Sequence, residues 1–135
     1  MKKQIPNVLV YGSIGIDTID TPFGNVKNIL GGSATYATLA ASFFCQPVLL
    51  ASCGTDLAKK DLNIFSKHNI DIRHLVQEGK TFRWHGKYDL DGNVKTISVK
   101  FDGVTTKIPT IPKITPRYVL IANHDPELQL QVLKQ

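Results

Sequence analysis

The chain has 135 residues, 42% hydrophobic and 20% charged, which allows one domain with a substantial buried core and leaves no room for a second. No apolar run is long enough to span a bilayer, and the formal charge of +5 is carried by dispersed lysines and arginines without an aromatic-basic cluster, so neither a membrane partner nor a nucleic-acid partner is expected. Cys45 and Cys53 sit beside apolar residues and not at metal-ligand spacing, which argues against zinc and for reduced, buried thiols.

Met1-Lys2-Lys3-Gln4 leads into the first apolar stretch without a small-residue cleavage site, and the chain is expected in the cytoplasm. Residues 7–12 form a continuous apolar run of the kind buried on both faces of a parallel sheet, and should be its central strand. Small residues and glycine over 13–20 let the backbone turn and set Asp17 near the carboxyl end of that strand, the edge at which open α/β sheets bind ligands. A carboxylate there can accept hydrogen bonds from vicinal hydroxyls; the alternative is a turn cap or a solvated side chain. Gly12 and Gly15 lack the third glycine of a dinucleotide loop, and Ile14, Ile16 and Ile19 read as further strand.

Gly31 and Gly32 open an unusually small-residue helix. Without Cβ atoms they permit positive φ and the close approach of a ligand or a strand. Ser33 is expected to cap the helix and leave its first N–H groups free toward hydroxyl or phosphate oxygens. Ala34, Ala37, Ala40 and Ala41 recur at helical spacing, which suits close packing on a sheet, and Phe43 and Phe44 are expected to anchor the far end. A tight strand-to-helix turn with a buried small-residue face is the plainer reading of the same residues.

Residues 46–54 read as a second buried strand, so that strand, helix and strand imply a right-handed crossover in a parallel sheet. Thr55 or Asp56 should cap the next helix, with Ala58, Leu62 and Phe65 on its inner face and Lys59, Lys60 and Lys67 outside. Asn69 should end it. Ile70, Ile72 and Leu75 alternate with polar residues as a short connecting strand, and His68 and His74 have no partner at ligand spacing.

From Thr81 the pattern changes. Phe82, Trp84, Gly86 and Tyr88 alternate with polar residues, Asp91-Gly92-Asn93 supplies a turn, and Ile97, Val99 and Phe101 answer on the return, giving a hairpin. It breaks the alternation of strand and helix, so it reads as a flap over a site or a dimer surface, with an ordinary edge hairpin as the alternative. Pro109, Pro112 and Pro116 mark an extended linker. Residues 118–122 read as another buried parallel strand, Asn123-His124-Asp125 follows on the same edge as Asp17, and Asp125 with Pro126 should start the last helix.

Taken together, residues 8–17, the Gly31-Gly32 helix, the aromatic hairpin and Asn123-His124-Asp125-Pro126-Glu127 resemble, in this order, the ribokinase or PfkB family of carbohydrate and nucleoside kinases. The resemblance implies a ribokinase-like α/β domain over residues 1–135, mainly parallel, flanked by helices, with a small β-sheet lid from segments about 14–29 and 81–106. It implies that Asp17, Gly31 and Gly32 hold sugar hydroxyls, that Phe82 or Trp84 covers the sugar, and that Asn123 belongs with them as a substrate-binding residue.

The family's Gly-Ala-Gly-Asp segment, with its anion hole and its base, has no match here, and the ATP pocket is missing with it. Phosphoryl transfer needs the nucleophile, the phosphates and a positioned base held together. The chain is therefore expected to be truncated, an amino-terminal sugar-binding half without catalytic residues or a metal site. ATP and Mg2+ would belong to the full-length family and be bound by none of this chain alone. Two readings follow: part of an ATP-dependent kinase for a sugar or nucleoside, or a non-catalytic module that binds a small polyol or forms a homodimer through its β lid.

Overall fold

The computed structural model describes residues 8–101 and 106–135. The amino-terminal Met1-Lys2-Lys3-Gln4, the first residue of the expected opening strand and residues 102–105 of the expected lid lie outside the described residues. The elements run β1 (Val8–Tyr11), β2 (Gly15–Thr21), β3 (Gly24–Gly31), α1 (Ser33–Ser42), β4 (Val48–Leu50), β5 (Ser52–Cys53), α2 (Lys59–Lys67), β6 (Val76–Gln77), β7 (Phe82–Tyr88), β8 (Val94–Lys100), β9 (Tyr118–Ile121) and α3 (Pro126–Leu133).

The apolar run over 8–11 is the centre of a parallel sheet ordered β4-β1-β9. Its register sets Leu9 beside Val48 and Val119, and Tyr11 beside Leu50 and Ile121. Alternation then divides the core in two. Val10 and Leu49 pack on one face with Ala34 of α1 and Phe65 of α2. Leu9, Tyr11, Val48 and Leu50 pack on the other with Val132 of α3 and the Ile108, Ile111 and Ile114 side chains of the proline-marked segment. Helices therefore cover both faces, the arrangement that a continuously apolar strand requires. None of the described helices is long and apolar enough to cross a membrane.

A second sheet of four strands is ordered β3-β2-β7-β8, with β2 antiparallel to β3, parallel to β7, and β7 antiparallel to β8. Gly92 at φ +82 closes the β7–β8 turn, where Asp89 Oδ1 accepts from the Asp91 and Asn93 amides. A register shift between His85 and Gly86 sets Thr96 opposite Gly86, so the hairpin departs from strict alternation there.

Several local expectations are corrected. The strand expected over 46–54 breaks at Ala51: β4 joins β1, but β1 ends at Tyr11, and the chain bends so that β5 pairs with β6. Residues 70–75 make a single bridge, Asp71 to Val48, because the Asp71 carboxylate folds back onto the Arg73 amide and guanidinium. The cap of α2 is Ala58 without a side-chain hydrogen bond. Ala58 is exposed, and Leu57 is buried in its place. Phe43 and Phe44 follow the end of α1 and are 75% and 90% exposed, so they bury little, although the Phe43 ring meets the His68 ring edge-on at 6.1 Å. Strand β9 is parallel to β1 but has no neighbour on its other side among the described strands, so Tyr118, Val119 and Leu120 are exposed, not buried. The cap of α3 is Asp125, as its sequence indicates, with its carboxylate accepting from the Glu127 and Leu128 amides.

Candidate functional site

Three chain reversals meet at the carboxyl end of β1. The Ser13 amide donates to Ser33 Oγ at 3.1 Å, the Ser33 amide to Ser13 Oγ at 3.2 Å, and the Ala34 amide to the Ser13 carbonyl at 3.0 Å. Ser33 Oγ–H donates in turn to the Asn123 carbonyl at 2.6 Å. This knot fixes the β1–β2, β3–α1 and β9–α3 turns against one another. It also corrects two expectations. The cap of α1 is Gly32 and not Ser33, and the first two amides of the helix are taken by Ser13 and not left open to a ligand.

The paired glycines do different work. Gly32 sits at φ +97, and a Cβ there would collide with the backbone of Ser13 and Ile14, so it serves the turn. Gly31, the last residue of β3, lies across from Gly15 on β2, and a Cβ on it would fall inside the Asp17 carboxylate. Asp17 is the third residue of β2, in the second sheet and beyond the end of β1. It is half-buried, burial pushes its carboxyl above the usual aspartate range, and no cation or hydrogen-bond donor among the described residues offsets that effect.

Phe82 starts β7 opposite Gly15. Its Cδ1 and Asp17 Oδ1 approach to 3.2 and 3.6 Å of the point where a Cβ on Gly15 would lie, so the ring edge and the carboxylate flank one small space. Phe82 also lines a cavity of about 280 Å³ with Ser13, Phe101, Asn123, His124 and Asp125. Trp84 goes elsewhere. It is in register with Asp17, yet its indole N–H donates to Thr96 Oγ1 at 3.2 Å, and its ring covers Gly86 and meets Tyr88 edge-on. The structure thus brings Asp17, Gly31, Phe82 and Asn123 around one end of the sheet, seats Gly32 in the turn beneath them, and turns Trp84 into its own hairpin.

His124 is the residue that sequence reasoning passed over, although it follows Asn123 at the end of β9. Its ring stacks on Tyr11 at 5.2 Å, and Nδ1 accepts from the Asp125 amide at 2.8 Å, which places the proton of the neutral ring on Nε2. Burial lowers its pKa against the pull of Asp125. Beneath it the Tyr11 hydroxyl is buried with no partner among the described residues. No group of three His, Cys, Asp or Glu side chains that could hold a metal is present among the described residues.

No family model matches the sequence, and no curated protein matches it. Solved structures do match. The nucleoside kinase of Methanocaldococcus jannaschii, described as an archaeal member of the ribokinase family, superposes with a TM-score of 0.67 at 17% identity over 96% of this chain and 49% of its own. The fold is ribokinase-like. Ribokinase from Cryptococcus neoformans in complex with ADP gives 0.66 at 19% identity over 88% of this chain and 41% of its own. The Burkholderia thailandensis nucleoside kinase in complex with inosine gives 0.57 at 18% over 69% and 36%. The chain spans less than half the length of each of these three, and the ribokinase-like match over 96% of its residues takes in both sheets.

Proposed function

We propose that this chain holds the acceptor of a kinase reaction, a sugar or a nucleoside, with Asp17 accepting hydrogen bonds from its hydroxyls. The observation that carries the reading is the Asp17 carboxylate: half-buried, without a counter-charge among the described residues, given room by Gly31, and separated from the Phe82 ring only by the space above Gly15. A bound hydroxyl pair would supply the donors that the site lacks. The second sheet would act as the lid, with Phe82 facing the ligand. Asn123 and the Nε2–H of His124 would line its far side.

Among the described residues, the first two amides of α1, which could have met phosphate oxygens, are occupied by Ser13. We therefore assign acceptor binding alone and route no step of the transfer through a triphosphate donor. The exposed Tyr118, Val119 and Leu120 on β9 support a further reading, self-association through that edge. Titration of isotope-labelled protein with D-ribose and with inosine tests the binding reading: amide shifts should concentrate at Asp17, Gly31, Phe82 and Asn123. The absence of shifts with every polyol tried, or shifts confined to other surfaces, would overturn it.

A further inference from the structure

Asp56 stands outside the acceptor site, in the segment between β5 and α2, and its carboxylate is fully engaged by the second sheet. Oδ1 accepts from the Thr81 amide and from the Thr81 hydroxyl, both at 2.7 Å, and Oδ2 accepts from the Arg83 guanidinium at 3.1 Å. Thr81 Oγ1 accepts in its turn from the Gly54 amide at 3.0 Å, and Arg83 reaches on to Asn28 Oδ1 at 3.1 Å. Asn28 holds φ +54 on β3. Gly54 is a glycine for a packing reason: a Cβ there would collide with the Thr81 amide and the Lys80 backbone. One carboxylate therefore ties the main α/β unit to both β7 and, through Arg83, β3.

The bound residues Thr81 and Arg83 are the two neighbours of Phe82 in the chain. Strand alternation sends their side chains to one face and the Phe82 ring to the other, toward Gly15 and the Asn123 cavity. We propose that Asp56 is a positioning residue of the acceptor site, which clamps residues 81 and 83 and so fixes the direction of Phe82 and the attitude of the second sheet over Asp17. This proposal rests on the reading of Asp17 and Phe82 as acceptor-binding groups. Its geometric part, that the carboxylate orders the start of β7, can be measured without any ligand.

Thr81 is 3% exposed and its bond from the Gly54 amide is buried, while the bonds to Asp56 are part-buried and the Arg83–Asn28 bond is exposed, so shielding from water is strongest at Thr81. Removing the Thr81 hydroxyl with Thr81→Val keeps the side-chain shape while leaving the Gly54 amide and Asp56 Oδ1 each short of a partner. Thr81→Ser restores the hydroxyl.

Hydrogen exchange of the amides of Phe82, Arg83 and Trp84, with those of α1 as an internal folded reference, tests the geometric part. The loss of one buried hydrogen bond corresponds to about tenfold faster exchange at those amides in Thr81→Val and in Asp56→Ala, with wild-type rates in Thr81→Ser. Unchanged exchange at β7 in Thr81→Val would overturn the proposal. So would global unfolding of both Asp56→Ala and Thr81→Val, because the cluster would then support the whole domain and not the attitude of one sheet. The ligand arm is a double-mutant cycle with D-ribose: Thr81→Val and Phe82→Ala should each weaken binding, and the pair together should be no weaker than Phe82→Ala alone. Additive losses would overturn the route through Phe82. Failure of the wild-type chain to bind any polyol would overturn the acceptor reading instead, and the exchange data would still decide the clamp.

Discussion

Gly31 and Asp17 share one volume: the Cβ that any other residue would carry at position 31 falls within the Asp17 carboxylate. The two lie on neighbouring antiparallel strands, and the register that pairs Gly31 with Gly15 brings the carboxylate across the bare backbone of β3. Gly31→Ala is therefore expected to displace the carboxylate. The colliding atoms are all at the end of the Asp17 side chain, which no partner among the described residues holds, so the carboxylate can swing aside at small cost to stability. Gly31→Ala should therefore stay folded and lose polyol binding, read by calorimetric titration. Wild-type binding by the variant would contradict the role of the shared volume.

Asp17 should act against stability at neutral pH. Its folded pKa is raised by burial, so protonation is favoured in the folded state. The favourable contribution is present below the unfolded value of 3.8 and is lost as pH rises through the higher folded value. Asp17→Asn should therefore unfold at a higher temperature than wild type at pH 7, with the gap closing as pH falls toward 3. Scanning calorimetry across that range gives the comparison, and a less stable Asp17→Asn protein at pH 7 would contradict it.

Asp56 should do the opposite. Burial alone would raise its pKa, but the hydrogen bonds from Thr81 and Arg83, with the Arg83 charge, outweigh burial and hold it at about 2 against 3.8 unfolded. Its contribution is complete above 3.8 and is lost as pH falls toward 2. Beside Arg83, the charged groups around it are Lys60 and Asp61, which line the adjoining cleft; the buried Cys53 thiol, whose own pKa is pushed up to about 11 by burial and by Asp56, stays neutral in this range. Asp56→Asn is expected to flatten the acid limb of the stability curve between pH 4 and 2, and an unchanged limb would contradict this.

What the sequence disclosed, and what it concealed, divides by range. The continuous runs at 8–11 and 48–50 announced parallel strands because a strand buried by helices has no polar face to show, and the run at 118–121 announced a parallel partner of β1 although three of its residues stay exposed. Asp125 followed by Pro126 announced a helix start because both effects are local. Asp56 was misread for the same reason: an aspartate shortly before a helix is a good cap locally, and only the fold brings Thr81 and Arg83, 25 and 27 residues away, to take its oxygens. Ser33 lost the cap to Gly32 because Ser13, 20 residues earlier, engages its hydroxyl and its amide. Of the residues proposed to form the site, Asp17 and Gly31 were singled out by residue type, and the structure sets them in close approach to one another. The seating of the Trp84 ring over Gly86, with its N–H on Thr96, depends on the hairpin register, which no local pattern encodes.

The open edge of β9 should associate. Tyr118, Val119 and Leu120 are exposed on a strand that has no neighbour on its outer side among the described strands, and Leu130 and Leu133 of α3 add apolar area. Light scattering is expected to show a mass above that of the monomer that rises with concentration, and Leu120→Lys should reduce it. A strictly monomeric wild-type chain at high concentration would contradict the expectation.

The central claim, that Asp17 holds the hydroxyls of a sugar or nucleoside, is tested most directly by titration calorimetry of the wild-type chain and Asp17→Ala against D-ribose and inosine. The wild-type chain should bind at least one of them. Asp17→Ala should remain folded and lose about 1.5–3 kcal/mol of binding free energy, the cost of removing hydrogen bonds to a charged acceptor. Equal affinity of the two proteins for a polyol would contradict the account.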